Sequence, residues 1–493
     1  MKSRYSYSLF FVLGACLFLC FLYCPVYDLG MSDKEIFTYT GWAMYKGLVP
    51  YRDFFDHKPP LIYFVNFAGM LLGGRWGLWM INTALALFTT GLFFSCCRRY
   101  RLPFPWLLPL LFNLMLRDNL ISEGTNMTRE YTAFFYLIFF CVLMGNGRYR
   151  HYVLGLLAGL IFFMQQDQVL PLLPFFLYIF STSDAVPLPK KCLFIGAGFL
   201  TVMLPILFYF AVRHSLGYFF QEAFLFNLHV YTAERKSVGD HFRTIKRVLD
   251  AGNYELPFMI AVCLGIAALI WERKKKGLIL AAFAGLLLTL SPEFMGGRFK
   301  GTTAAVDYLY YFLPLSAAVC VLLFTVFAFA GHTLPFSKAA RLPFAILLCG
   351  SLLYTAFQHA THLNRRDEDP VINSPELNYL RQHRPGDYQL YVFQNEDYIC
   401  GYYEFRILCP SRWLYQHFWG WYPDWDPDGQ ILHGIGQDLL QHHTTYVIMD
   451  PANVVTFRNA ANYTWWMDFM RTHYRVVPLP GTQHSILWER IAP

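Results

Sequence analysis

The chain has 493 residues, of which 56% are hydrophobic and 15% charged, where a soluble domain carries about 25% charged residues. The deficit sits in long apolar runs, which excludes an ordinary soluble globular protein and indicates a polytopic membrane protein. The formal net charge of +7 is no argument for nucleic acid, because the basic residues gather in short segments between apolar runs.

The first run, Ser8 to Val26, exceeds a signal-peptide core of about 7–15 residues and has no clear small-x-small cleavage site, so it reads as a retained helix. The apolar pattern then predicts about eleven spans in all, near 8–27, 76–97, 103–116, 131–146, 152–164, 168–182, 192–212, 256–271, 277–291, 308–330 and 342–358. Those around 152–182 also fit one bent or re-entrant unit around Gln165-Gln166-Asp167-Gln168. Alternating sides along these runs places Lys2, Arg4, Arg98, Arg99, Arg101, Arg148, Arg150, Lys190, Lys191, Arg273 to Lys276, Lys338 and Arg341 on one side, against only Asp184 and Glu272. Short cytoplasmic loops carry the positive excess. The N-terminus is therefore expected in the cytoplasm, with the 28–75 loop and the C-terminal end outside.

The long 28–75 loop is amphipathic. Ile36, Tyr39, Trp42, Ala43 and Tyr45 fall at helical spacing and a second apolar patch runs from Leu61 to Leu72, so two short helices at the membrane surface are expected. After THLNRRDEDP the character changes. Strand patterns at Gln389–Phe393, Tyr446–Met449, Tyr474–Pro478 and Ser485–Glu489 alternate with helical ones, which predicts a small outer α/β domain over 361–493 behind a membrane domain over 1–360. Cys400 and Cys409 both fall in that outer part. Compartment allows a disulfide between them; spacing alone does not require one.

The stretch MSDKEIFTYTGWAMYKGLVPYRDFFDHKPPL, Met31 to Leu61, holds Asp33, Glu35, Asp53, Asp56, His57 and Lys58. A carboxylate just outside a first membrane helix, Asp33, can deprotonate an acceptor hydroxyl beside a lipid-borne donor; it can equally cap the helix that begins near Lys34. Lys58 precedes Pro59-Pro60, which lack N–H groups and set the start of a helix. A cation beside a helix start suits an anion, and a snorkelling interfacial lysine is the plain alternative. Arg298 and Lys300 in a later outer loop could hold a phosphate or be ordinary loop charges. Tyr308, Tyr310 and Tyr311 at the outer end of the next span suit an aromatic belt, and Tyr308 also substrate contact. Glu123, Arg129, Glu130 and Asp167 lie close to lipid, where charges face a cavity or pair; Asp167 among three glutamines suits sugar hydroxyls or a surface turn. The D-x-E spacing of Asp33 and Glu35 leaves a divalent metal open without demanding one. His442 and His443 lack a partner set for zinc, and no firm cofactor is indicated.

The run from Asp33 to Phe64, D-x-E-x-F-x-Y-x-G-W-A-x-x-K-G-L-V-P-Y-R-D-F-F-D-H-K-P-P-L-I-Y-F, resembles the first outer loop of bacterial GT-C glycosyltransferases, the protein-mannosyltransferase-like and aminoarabinose-transferase-like proteins. Ile121-Ser122-Glu123-Gly124 with Glu130, the GLLAGL run 155–160 before Gln165–Gln168, and DYLYYFLPL from Asp307 continue the resemblance in order. It implies the GT-C fold and inverting transfer from a polyprenyl-phosphate sugar on the periplasmic side of the bacterial inner membrane, to a glycan, lipid or protein acceptor of the cell envelope. Asp33 then matches the general base and Lys58 the lysine near the donor phosphate, with Arg298 a looser match. Lys34 separates acids that are adjacent in many members, and glutamine and Asp307 stand where the family has a lysine and a histidine. The expected function is thus a hexosyl- or pentosyltransferase. A transporter or flippase of a lipid-linked sugar, and a non-catalytic polysaccharide-assembly protein, remain the alternatives.

Overall fold

A computed structural model describes residues 2–27, 32–117, 125–182, 186–231, 254–272, 274–290, 309–330, 365–414, 428–450, 460–481 and 485–491, with a few single residues between them. The protein is mostly helical. In chain order the helices of the first part are α1 (Lys2–Phe21), α2 (Ser32–Tyr45), α3 (Leu61–Leu71), α4 (Arg75–Arg99), α5 (Leu107–Leu116), α6 (Thr128–Leu143), α7 (Arg150–Met164), α8 (Leu173–Ser181), α9 (Leu188–Val212), α10 (Leu216–Phe220), α11 (Glu255–Trp271), α12 (Lys276–Leu288) and α13 (Pro314–Thr325). Each expected span up to 308–330 coincides with a helix among these, and 342–358 lies almost wholly outside the described residues. Among the described residues two helices, Arg75–Arg99 and Leu188–Val212, are long and apolar enough to cross a membrane. The others are shorter, and Gln166–Leu172 is a 3-10 segment joining α7 to α8, which is the bend expected around the glutamines.

Helix α13 is the centre of the bundle, buried along its whole length and packed against α5, α6, α11 and α12. On the outside, α9 points Leu193 and Phe208 outward at 67% and 70% exposure, the surface a lipid solvent requires of a helix. Its inner face meets α7 through Gly198 against the Tyr152 backbone and Gly155 against the Ile195 backbone. No Cβ fits at either position, so the GLLAGL run is a close helix crossing built from small residues.

The C-terminal part adds α14 (Pro375–His383), α15 (Cys400–Glu404), α16 (Gln430–Gln441) and α17 (Ala460–His473). Its strands are β1 (Leu390–Phe393), β2 (Tyr446–Met449), β3 (Tyr474–Val476) and β4 (Ile486–Arg490), in sheet order β1-β2-β4-β3. β1 and β2 are parallel, and β4 runs antiparallel to both neighbours. All four strands lie within the short strand patterns expected at Gln389–Phe393, Tyr446–Met449, Tyr474–Pro478 and, to within one residue, Ser485–Glu489. Trp466 from α17 stacks on Phe393, ring centres 4.0 Å apart, under the sheet.

This part rests on the 28–75 loop. Phe55 N–H donates to the Arg412 carbonyl at 2.7 Å, Arg412 donates to the Tyr51 carbonyl at 2.7 Å, and the Tyr39 hydroxyl accepts from Cys409 N–H at 2.9 Å. The docking corrects one expectation. Helix α2 is not an amphipathic helix with one wet face. Lys34 through Gly41 are all buried, with Gly41 pressed on the Asn66 backbone of α3 and Tyr39 against Tyr402 of α15, rings 5.1 Å apart. Its polar residues are buried as well: Glu35 meets Arg75 and Arg366, and the Thr38 and Thr40 hydroxyls donate to the helix's own Lys34 and Phe37 carbonyls. Cys400 and Cys409 are buried free thiols, not joined in a disulfide. Their surroundings differ: Cys400 lies near Glu35 and Arg366, whereas Cys409 sits against Tyr402.

Candidate active site

The site is built on the Lys58 turn. Lys58 N–H donates to Asp56 Oδ1 at 3.2 Å, an Asx-type turn. Pro59 and Pro60 follow, so the chain there has no N–H donors to offer. The Lys58 carbonyl instead accepts from the hydroxyls of Tyr51 at 2.8 Å and Tyr63 at 3.1 Å. The His57 carbonyl accepts from Asn227 Nδ2 at 2.7 Å. Tyr51 is held at φ 67°, a left-handed conformation that a bulky residue adopts only when its surroundings fix it. Its ring packs among Tyr63, Phe210 and Phe219. Backbone and aromatic packing therefore aim the Lys58 side chain from both ends of the turn.

That side chain reaches Asp33 in the first turn of α2, Nζ to Oδ2 3.4 Å. Asp33 keeps 19% of its side chain exposed while Lys58 keeps 7%. Burial acts to lower the Lys58 pKa, but Asp33, with Tyr311 and Asp56, outweighs it and holds the ammonium above its usual range. Tyr311 lies beside it, ring centre 5.6 Å from Nζ. Arg129 sits against the same ring at 4.8 Å and donates to Asp167 Oδ2 at 2.7 Å. Burial pushes the Asp167 carboxyl up, and Arg129 overrides this, so it stays below the ordinary range. The gathered groups are two carboxylates of similar exposure, Asp33 at 19% and Asp167 at 18%, a buried ammonium kept charged, a buried guanidinium and an aromatic ring.

The other candidates divide. Glu35, two residues from Asp33, is committed elsewhere: Arg75 takes both its oxygens at 2.7 Å, and Arg366 reaches it at 3.4 Å. Glu404 closes the cluster through Arg366 at 2.8 Å. Burial raises the Glu35 carboxyl, but Arg75 and Arg366 bring it down to about 2. Asp53 is bound to Arg52 and accepts from Val49 N–H at 2.7 Å, which shapes the loop. Asp56 holds the turn and lies 3.6 Å from the His57 ring. Glu130 is buried against Arg117, which also donates to Asn82 at 2.5 Å. Asp167 belongs to the site, through Arg129 rather than on its own. Glu123, Arg298, Lys300 and Tyr308 lie outside the described residues.

Sequence reasoning singled out Arg129 and Tyr311 without finding their partners, and missed Arg75, Arg366 and Arg412 altogether. Each acts on a residue far away in the chain. Arg412 contacts Glu222, whose carboxyl burial raises to about 8 while Arg412 pulls only part of the way back; its Oε2 has no hydrogen-bond partner among the described residues. The one local signal was the pair of charges Arg129-Glu130 at a helix start, where each must face a partner.

No protein-family model and no curated protein matches the chain. Among solved structures, ArnT from Cupriavidus metallidurans bound to undecaprenyl phosphate is similar, with TM-score 0.65, 12% identity and 98% of both chains covered. The apo state of the same protein gives TM-score 0.64, 12% identity and coverage of 98% of this chain and 97% of that one. The chain therefore has the ArnT fold over nearly its whole length, the fold that its resemblance to bacterial GT-C glycosyltransferases implied.

Proposed function

We propose that the chain is an inverting GT-C glycosyltransferase that moves a sugar from a polyprenyl-phosphate donor to an acceptor of the bacterial cell envelope. The observation that carries the reading is the approach of Lys58 to Asp33 at 3.4 Å, with the carboxylate still partly open. Asp33 removes the acceptor hydroxyl proton. The hydroxyl oxygen attacks the anomeric carbon, the bond from that carbon to the phosphate oxygen breaks, and its electron pair leaves with the polyprenyl phosphate. Lys58, buried and charged, meets the departing phosphate. The undecaprenyl phosphate bound to ArnT supports a lipid of this class. In this reading the transfer takes place on the periplasmic side of the inner membrane. The phosphate charge is met by protein cations.

A lipid-linked-sugar transporter is favoured by one feature, the Arg117–Glu130 pair at 1% and 2% exposure in the helical bundle. Purified protein in vesicles with a polyprenyl-phosphate sugar separates the two. A transferase releases polyprenyl phosphate and glycosylated acceptor from an envelope extract. Movement of intact donor without any cleavage contradicts the proposal.

A further inference from the structure

The geometry points to Arg129 as a second cation of the donor-phosphate site, held by Asp167 and sharing the Tyr311 ring with Lys58. The inference rests on the transferase reading above and names a residue which that reading does not use.

Arg129 stands in the first turn of α6, its side chain 3% exposed. Its Nη1 donates to Asp167 Oδ2 at 2.7 Å. Asp167 is itself fixed, accepting from Gln165 Nε2 and Gln168 Nε2 at 3.0 Å each. Thr128 in turn donates to Gln165 Oε1 at 3.0 Å. The guanidinium is thus clamped at one terminal nitrogen by a hydrogen-bonded carboxylate. Its Nε–H is buried with no acceptor among the described residues. A clamped guanidinium with an unused N–H is the donor geometry that phosphate oxygens fit and an ammonium does not supply. The charge of Arg129 is felt at Lys58, where it opposes the effect of Asp33, so the two cations act on one small volume.

Two cations suit the chemistry of this leaving group. The donor is a phosphodiester with one negative charge. When the bond to the anomeric carbon breaks, its electron pair stays on the phosphate oxygen, and the polyprenyl phosphate left behind carries a second charge. The acceptor proton is on Asp33. Lys58 then balances the charge already present in the donor, and Arg129 meets the charge that develops. An interaction that strengthens as charge develops lowers the barrier more than it tightens donor binding.

The test uses the purified full chain in detergent and measures binding of undecaprenyl phosphate and of undecaprenol, the same chain without the phosphate. R129Q is expected to bind undecaprenyl phosphate at least about tenfold more weakly, with undecaprenol binding unchanged. R129K, which keeps charge but not the fork, is expected to lose part of that and is the variant read if R129Q does not fold. Undecaprenyl phosphate bound by R129K and by folded R129Q as tightly as by the wild type overturns the inference. So does a loss of thermal stability in R129Q and D167N with phosphate preference intact, which marks a purely structural pair. Failure of the underlying reading looks different: the wild type then binds undecaprenyl phosphate no better than undecaprenol, and K58Q changes nothing.

Discussion

Asp33 and Glu35 are two residues apart in the first turn of one helix, yet their surroundings are opposite. Asp33 meets the Lys58 ammonium at 3.4 Å and keeps 19% of its side chain exposed. Glu35 is 1% exposed and shared by two guanidinium groups, one of them bidentate at 2.7 Å. A loosely paired, accessible carboxylate can exchange a proton with a substrate. One locked between two arginines is held ionised and fixes structure. Residues at i and i+2 on a helix do not face the same way, so a single turn supplies the site on one side and the anchor for the C-terminal part on the other.

The contrast can be broken in four ways, taken from the largest effect down. D33N removes the base and keeps a side chain of nearly the same shape beside Lys58, so transfer should fall by about 10²- to 10⁴-fold while the variant still folds in detergent. E35Q removes the more buried of the two carboxylates that Arg75 and Arg366 share and leaves them Glu404, so it should cost at most about 3–5 kcal/mol of stability. Turnover per folded molecule should stay close to wild type, and a selective loss of turnover would move Glu35 into the site. The third follows from the Glu35 carboxyl at about 2 against 4.5 unperturbed. Below 4.5 the unfolded chain binds the proton that the folded chain refuses. The stabilisation is therefore complete above about 4.5 and lost as pH falls through about 2. Melting curves of the wild type should show that acid loss, and those of E35Q should be flatter over the same window. The smallest effect belongs to D53N. The Arg52–Asp53 pair is exposed at 38% and 23% and the amide still accepts from Val49 N–H, so stability should change by less than about 1 kcal/mol. Transfer should be unaffected.

The comparison also shows what a sequence makes legible. The helices were readable because long apolar runs declare themselves, and the four strands because short β-branched and aromatic runs between turns do. Lys58 was readable because its turn is local, with Asp56, His57, Pro59 and Pro60 side by side. The separation of Asp33 from Glu35 was not, since the groups that claim Glu35 lie 40 and 331 residues away. Arg129 finds Asp167 across 38 residues, and periodicity contains no term for such a pairing. The wet face expected of α2 failed for the same reason: it became an interior face only when residues 365–414 docked on it.

The most direct measurement sets affinity beside rate for one variant. With purified protein, undecaprenyl phosphate binding and sugar transfer are measured for the wild type and for D33N. Loss of Asp33 frees Lys58 from its competing carboxylate, so D33N should bind the lipid phosphate as tightly as wild type or more so, and transfer almost nothing. Normal transfer by D33N would contradict the account, as would a binding defect large enough to explain its lost activity.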